Sequence, residues 1–93
     1  MPALTPEEIQ NRLTSLPNWQ IESGELTRTF AFKDFVAALA FVNRVGEAAE
    51  AAGHHPDIDI RYNKVRLKLV THDAGGLTAN DFDLAIKASI LAS

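Results

Sequence analysis

The chain has 93 residues, of which 46% are hydrophobic and spread along its whole length, so we expect one compact domain, residues 1–93, with a modest core. Nine basic residues against twelve acidic ones give a net charge of -3, and the basic residues are scattered, which argues against direct binding of DNA or RNA. The lack of cysteine excludes disulfides and thiolate chemistry, and no apolar run or signal-peptide pattern predicts a membrane segment, so we expect a cytoplasmic protein.

The first part of the chain predicts a helix and then a β-hairpin. Thr5 through Glu8 provide a capping threonine, a proline at the first helical position and the acid of a capping box. The apolar stripe of this helix ends before Pro17-Asn18. From Trp19 to Phe32 the apolar residues instead recur at every second position on both sides of a Ser23-Gly24 turn, which is typical of two paired strands.

A long second helix is predicted to run from an Asp34 cap to about Ala52, where Gly53 suits its C-terminal cap. Its apolar residues fall on two stripes. One stripe is Phe35, Leu39, Val42 and Ala49, and the other is Phe41, Val45, Ala48 and Ala52. One sheet face cannot cover both stripes, so we expect the second stripe to contact another subunit in a homodimer or homotetramer.

Two more strands are predicted around Asn63-Lys64, because apolar residues alternate with charged ones on either side. A two-residue turn there pairs Tyr62 with Val65, Ile60 with Leu67 and Ile58 with Leu69, all on one face. After a loop at 73–76, Thr78 begins a last helix. We expect its inward-facing residues to be Phe82, Ala85, Ile86, Ser89 and Ile90.

The predicted order α-β-β-α-β-β-α contains no linker, repeat or low-complexity segment. Four antiparallel strands with one apolar face, covered by three helices on that face, make a two-layer α+β sandwich. We therefore expect a single domain of this class.

The three histidines of the chain, His54, His55 and His72, are its densest group of chemically active residues. Pro56 disfavours helical geometry for the residue before it, so the helix ends and the first two imidazoles project from a fixed bend. Strand parity places His72 on the face opposite the core unless the strand breaks there. Because imidazole titrates near neutral pH, one histidine can donate a proton while another accepts one. The group predicts acid and base catalysis, with Glu50 one helical turn before His54.

The residues by themselves leave other interpretations open. The His-His-Pro turn is also typical of a plain helix end, Glu50 can equally be a solvated helix residue, and Asp81 fits a capping box with Thr78. Three histidines and a carboxylate are also the ligands of many zinc sites. Neighbouring His54 and His55 point to opposite sides in an extended segment, however, which argues against one shared ion.

Fixed spacings connect these residues into a longer pattern. Glu50, His54-His55-Pro56, Tyr62, His72 and Asp81 together resemble the signature of the pterin-4a-carbinolamine dehydratases. The similarity extends to Phe-Lys-Asp-Phe at 32–35, Tyr-Asn-Lys-Val at 62–65, Thr-His-Asp at 71–73 and Gly-Leu-Thr at 76–78. It covers most of the chain, and the predicted order of helices and strands is that of the family.

The resemblance implies a lyase that removes the 4a-hydroxyl of a 4a-hydroxytetrahydropterin as water, without a cofactor. Such a substrate arises when an aromatic amino acid hydroxylase consumes its tetrahydropterin. By the resemblance, His54 and His72 are the acid and base groups, and His55 binds and orients the pterin. The resemblance also implies that Glu50, Asp81 and Trp19 help to bind the substrate. Glu50 is expected to orient an imidazole or raise its basicity, Asp81 to hold a site residue or the pterin's amino edge, and Trp19 to lie near the pocket.

The chain departs from the animal members that it resembles at three positions. Gly53 and Ile58 stand where those members carry an acidic and an aromatic residue, and Asn80 stands where a basic residue is common. These differences concern substrate contacts. Two rival functions stay open: a protein-interaction module, because the family also includes dimerisation cofactors of a homeodomain transcription factor, and a pterin-binding protein of molybdopterin metabolism.

Overall fold

The computed structural model describes residues 2–93, and in this range three helices and four strands follow the predicted order. The helices are α1 (Pro6–Leu13), α2 (Phe35–Ala52) and α3 (Ala79–Ala92), and the strands are β1 (Gln20–Glu22), β2 (Glu25–Ala31), β3 (Asp57–Arg61) and β4 (Lys64–Leu69). A 3-10 turn at His72–Ala74 follows β4. The predicted α+β architecture is confirmed. No helix within residues 2–93 is long and apolar enough to cross a membrane.

All neighbouring strands of the sheet are antiparallel, in the spatial order β1-β2-β4-β3. Because side chains alternate between the two faces of a strand, every second residue of β2 and β4 points to the same side. The buried residues on that side are Leu26, Phe30, Val65, Leu67 and Leu69. The opposite face is open and carries charged and threonine side chains, so the core lies between the sheet and the helices.

The turn between β3 and β4 lies one residue earlier than predicted. Arg61 pairs with Lys64, Ile60 with Val65 and Ile58 with Leu67, so the predicted pairs are wrong by two positions. Tyr62 and Asn63 form the turn, and Tyr62 has a left-handed φ of 53° and is largely exposed. Asn63 is anchored to the residue after β2, because its side chain donates to the Phe32 carbonyl at 2.7 Å and its own carbonyl accepts the Phe32 N–H at 2.9 Å. A shift of two positions keeps each side chain on its predicted face.

Helix α2 buries the two large residues of the stripe that we expected to contact another subunit, and that prediction is wrong. Phe41 and Val45 are fully buried in the chain's own core, where the Phe41 ring lies 4.8 Å from that of Phe30. The large exposed apolar residues of α2 are instead Phe35, Val36 and Leu39, with Val36 74% exposed. Periodicity identifies two stripes, but only the direction in which α2 crosses the sheet decides which stripe is covered.

Helix α3 is rotated about its axis relative to the prediction. Phe82 and Ala85 are buried as expected, but Ile86 and Ile90 are exposed. Their places in the core are taken by Leu84 and Ala88. The reason is that α3 packs against α2 as well as against the sheet, so its buried face includes the side toward α2.

Candidate active site

The end of α2 places two imidazoles on a rigid bend. Gly53 adopts a left-handed conformation with φ 64°, and the N–H of His54 donates to the Ala49 carbonyl at 3.1 Å, which closes the last turn of the helix. The His54 side chain is 13% exposed and the His55 side chain 62% exposed. The two rings therefore diverge, as expected for neighbours in an extended segment.

His54 turns inward to the beginning of α3, where it meets Asp81. Its Nε2 lies 2.5 Å from Oδ1 of Asp81, and the aspartate is fully buried. The other oxygen, Oδ2, accepts the N–H of Thr78 at 2.9 Å and the hydroxyl of Thr71 at 2.8 Å. A buried carboxylate is costly unless it is fully hydrogen-bonded, and these three donors satisfy it.

The hydrogen bond to Asp81 also determines which ring nitrogen of His54 can exchange a proton with a substrate. A carboxylate only accepts hydrogen bonds, so in the neutral imidazole the proton lies on Nε2 and points to Asp81. The Nδ1 atom then has a lone pair and can accept a proton. When the ring is protonated, Nδ1 becomes a donor, so the same atom can act in either direction.

His72 lies in a turn rather than in a strand. Strand β4 ends at Leu69, and Thr71 then forms an isolated bridge with Gly76 around the 3-10 turn that begins at His72. The strand break removes the parity argument that placed His72 on the opposite face. His72 is exposed, and it directly follows Thr71, whose hydroxyl contacts Asp81.

Glu50 contacts His55 and not His54, although His54 is nearer to it along the chain. A side-chain oxygen of Glu50 hydrogen-bonds Nε2 of His55, and the carboxylate is 77% exposed. Exposed ion pairs contribute little stability, so this contact mainly restricts the orientation of the His55 ring. The structure therefore makes two imidazole–carboxylate pairs, one buried and one at the surface.

Trp19 lies in the core and is not brought to the histidines. Its indole N–H donates to the hydroxyl of Ser89 at 2.9 Å, and its ring packs edge-on against Phe30. Ser89 follows Asp81 by about two turns of α3, which corresponds to ~12 Å along the helix. The predicted position of Trp19 beside the pocket therefore receives no support from these contacts.

One of the three departures from the animal sequences has a local explanation. Gly53 occupies a left-handed position, where residues with a side chain are strained, so its identity follows from the helix cap. Asn80 is exposed in the first turn of α3, next to Asp81. Ile58 is partly exposed on β3 and pairs with Leu67, and the structure offers no reason for an aromatic residue there.

Thr71 is the residue of this cluster that sequence reasoning missed. The spacing of a capping box accounted for Asp81 through Thr78 alone. The only sequence signal at Thr71 was the Thr-His-Asp similarity to the family.

Within residues 2–93, no three histidine or acidic side chains form a group that could hold a metal ion. A cavity of about 580 Å³ on the open face of the sheet is lined by charged residues of β3 and β4 and by none of the histidines.

Comparison with known proteins assigns the sequence and the fold to one enzyme class. Residues 2–91 match the sequence model of the family described as pterin 4 alpha carbinolamine dehydratase. A relative from Acidobacterium capsulatum that carries the dehydratase name is 64% identical over 91 residues, which cover 98% of this chain and 99% of the relative. A similarly named relative from Chloroflexus aurantiacus is 60% identical over 85 residues, or 91% of each chain.

A solved structure agrees with this assignment. The crystal structure of a transcriptional coactivator/pterin dehydratase from Brucella melitensis superposes with a TM-score of 0.94 at 35% identity, covering 98% of this chain and 99% of that one. The chain belongs to the pterin-4a-carbinolamine dehydratase family. It is a hydro-lyase whose reaction is the dehydration of a pterin that carries a hydroxyl at carbon 4a.

Proposed function

We propose that this dehydration takes place at His54, His55 and His72, on a 4a-hydroxytetrahydropterin. The observation that carries the proposal is the buried pair of His54 and Asp81, in which Nε2 lies 2.5 Å from Oδ1. The pair holds one imidazole in a single orientation with a defined free nitrogen. A general acid or base must be held in this way to exchange a proton with a bound substrate.

The reaction needs two proton transfers and no redox step. The bond between C4a and the hydroxyl oxygen breaks, the hydrogen on N5 leaves, and a double bond forms between C4a and N5. The departing oxygen takes up a proton and leaves as water, and the product is a quinonoid dihydropterin. One group must donate a proton to the oxygen and another must accept the proton from N5, which two imidazoles can do near neutral pH.

We assign these two transfers to His54 and His72, without deciding which of them is the acid. His55 is exposed and is oriented by Glu50, so we assign it to binding and orienting the pterin ring. The protein needs no cofactor in this scheme, because the substrate already carries both the leaving group and the proton that is lost.

The decisive experiment compares the decay of chemically made 4a-hydroxytetrahydropterin with and without the purified chain. We expect the protein to accelerate the decay above the spontaneous rate, and heat-denatured protein at the same concentration is the control. If the folded protein gives no acceleration, the enzymatic proposal fails and the interaction-module alternative is favoured.

We further propose that the chain forms a homodimer or homotetramer through α2. Phe35, Val36 and Leu39 form an exposed apolar patch near the start of this helix, which we call the α2 patch. No charged residue interrupts residues 35–43, so this apolar surface can pack against the same surface of a second copy of the chain. The molar mass in solution, measured by light scattering during size-exclusion chromatography, tests this proposal.

The biological setting that we propose is recycling of the tetrahydropterin used by an aromatic amino acid hydroxylase, in the cytoplasm. The substrate is a direct product of that hydroxylation, so the two enzymes must act in the same compartment. A phenylalanine hydroxylase gene beside this gene would support recycling. A cluster of molybdenum cofactor genes beside it would instead support the molybdopterin alternative.

A further inference from the structure

Thr71 connects two parts of the proposed site, the pair of His54 and Asp81 and the turn that carries His72. Its hydroxyl donates a hydrogen bond to Oδ2 of Asp81 at 2.8 Å, and Oδ1 of the same carboxylate contacts His54. Thr71 also directly precedes His72 in the chain. One residue therefore contacts the carboxylate that orients the first histidine and is covalently joined to the second.

The hydrogen-bond directions around Thr71 follow from the carboxylate. Asp81 as a carboxylate can only accept, so the hydroxyl proton of Thr71 points to Oδ2. Oγ1 of Thr78 lies 2.8 Å from Oγ1 of Thr71 and must then be the donor of that hydrogen bond. The two hydroxyl groups therefore donate in series, from Thr78 to Thr71 and from Thr71 to Asp81. Successive hydrogen bonds of this kind polarise and strengthen one another.

The backbone of Thr71 holds the turn that carries His72. Thr71 and Gly76 exchange two backbone hydrogen bonds, at 3.2 and 3.3 Å, and the Thr71 carbonyl also accepts the N–H of Ala74 at 3.1 Å. Gly75, with a left-handed φ of 75°, donates its N–H to the His72 carbonyl at 3.0 Å. The backbone of the turn is therefore fixed directly at Thr71.

We propose that Thr71 is a positioning residue whose hydroxyl, through Asp81, sets the orientation of the His54 imidazole relative to His72. This inference rests on the proposed function, in which both histidines exchange protons with one substrate. Without the hydroxyl, Oδ2 of Asp81 keeps only the Thr78 N–H, and the side-chain connection between the His72 turn and the His54 pair is lost. A less restricted imidazole spends less time in the reactive geometry, which lowers the rate of the chemical step more than it lowers binding.

Thr71→Val tests the proposal, because valine keeps the branched shape and removes the hydroxyl. We expect kcat for dehydration of 4a-hydroxytetrahydropterin to fall about tenfold with KM changed less than about twofold, a smaller loss than the hundredfold or more expected for His54→Ala. Thr71→Ser keeps the hydroxyl and should retain kcat within about twofold of the unchanged protein. Thr29→Val makes the same chemical change on the open face of the sheet and should alter neither parameter.

The orientation of His54 can also be measured without turnover, by NMR of its ring nitrogens. The unchanged protein should show the Nε2–H tautomer with slow exchange of that proton, and Thr71→Val should speed the exchange. Circular dichroism checks that the variant is folded, and Thr71→Ala replaces it if the valine variant does not fold.

The outcomes separate this inference from the proposed function. A folded Thr71 variant without the hydroxyl that keeps both kcat and slow proton exchange overturns the positioning role. If the unchanged protein does not accelerate dehydration, while loss of the hydroxyl still speeds exchange at His54, the proposed function fails and the structural link from Thr71 to His54 is supported.

Discussion

Asp81 and His54 form a buried pair in which one carboxylate serves both a helix and an imidazole. Oδ2 accepts the N–H of Thr78 at the start of α3, and Oδ1 lies 2.5 Å from Nε2 of His54. The N-terminus of a helix favours a negative charge, so this position suits an aspartate for two independent reasons. The site is therefore part of the structure that begins α3, and changes to Asp81 should affect stability and activity together.

Asp81→Asn should test both functions of this carboxylate. One side-chain oxygen would be replaced by an amide nitrogen that cannot accept, so a buried donor must lose its partner or His54 must change to the tautomer with its proton on Nδ1. In either case the substitution also removes the negative charge beside the N-terminus of α3. We expect the free energy of unfolding to fall by roughly 1–3 kcal/mol, and the dehydration rate to fall at least about tenfold. Urea unfolding and steady-state turnover measure the two effects. Asp83→Asn, at an exposed position of α3, is the matched control. An unchanged rate in Asp81→Asn would contradict the role given to the pair.

The three histidine variants should separate proton transfer from binding. His54→Ala and His72→Ala should each lower kcat by about a hundredfold or more, because each removes an acid or base group. His55→Ala should mainly raise KM, since its ring is exposed and paired only with the surface carboxylate of Glu50. Initial rates over a range of pterin concentrations provide both parameters. If all three variants raised KM alone, this division of roles would be wrong.

The capping box of α1 should make the stability of the chain depend on pH. The Thr5 N–H donates to Glu8 at 2.9 Å, and this hydrogen bond, followed by that with the Thr5 side chain, lowers the pKa of Glu8. A lowered folded-state pKa stabilises the protein above the pKa of the unfolded chain, and the effect is lost as the pH falls through the folded value. Glu8→Ala should therefore be less stable than the unchanged protein at neutral pH, with a difference that shrinks in acid.

Urea unfolding at several pH values measures that difference. Glu7→Ala makes the same charge change in the same turn, but Glu7 takes no part in the box and provides the control. A stability difference for Glu8→Ala that stayed constant into acid would contradict the linkage to its ionised carboxylate.

The α2 patch should control assembly without affecting the fold. Leu39→Glu places a charge among Phe35 and Val36, so it should shift the molar mass in solution toward that of a monomer. Arg44→Glu changes the charge at an exposed position farther along the same helix and is the control. Light scattering during chromatography measures the mass. If the Leu39→Glu variant keeps its circular dichroism spectrum and also remains an oligomer, the interface lies elsewhere.

Arg28 should be replaceable without loss of stability. Its guanidinium lies 4.1 Å from the centre of the Phe30 ring and donates to Ser89, while its Nε is buried without a hydrogen-bond partner among residues 2–93. Burial lowers the pKa of Arg28, because desolvation disfavours the charged guanidinium. Arg28→Met keeps the apolar stem, and we expect the free energy of unfolding to stay within about 1 kcal/mol.

Arg66→Met provides the comparison for Arg28, because the Nε of Arg66 is likewise buried without a hydrogen-bond partner among residues 2–93, whereas its guanidinium has an ion pair with Glu22 on the open face of the sheet. Its loss should lower the free energy of unfolding by less than about 1 kcal/mol, since the pair is exposed. Thermal and urea unfolding measure both variants. A loss of more than about 2 kcal/mol in Arg28→Met would show that the cation itself stabilises the core.

The sequence by itself determined the type and order of the helices and strands. Caps such as Asp34 and Gly53, and apolar periods that change from 3.6 to two, act through neighbouring residues, so they can be interpreted without knowledge of the rest of the chain. The spacing of His54, His55, His72 and Asp81 likewise pointed to the family that the comparisons then confirmed.

Only the tertiary structure decided which residues meet. Glu50 is nearest to His54 along the chain but contacts His55, and His54 instead contacts Asp81 on another helix. The buried stripe of α2 likewise packs against Phe30 of β2, and the turn at Tyr62 is held by the hydrogen bond from Asn63 to Phe32, 31 positions earlier in the chain. Such contacts depend on the crossing directions of helices and on strand register, and local patterns contain little information about either.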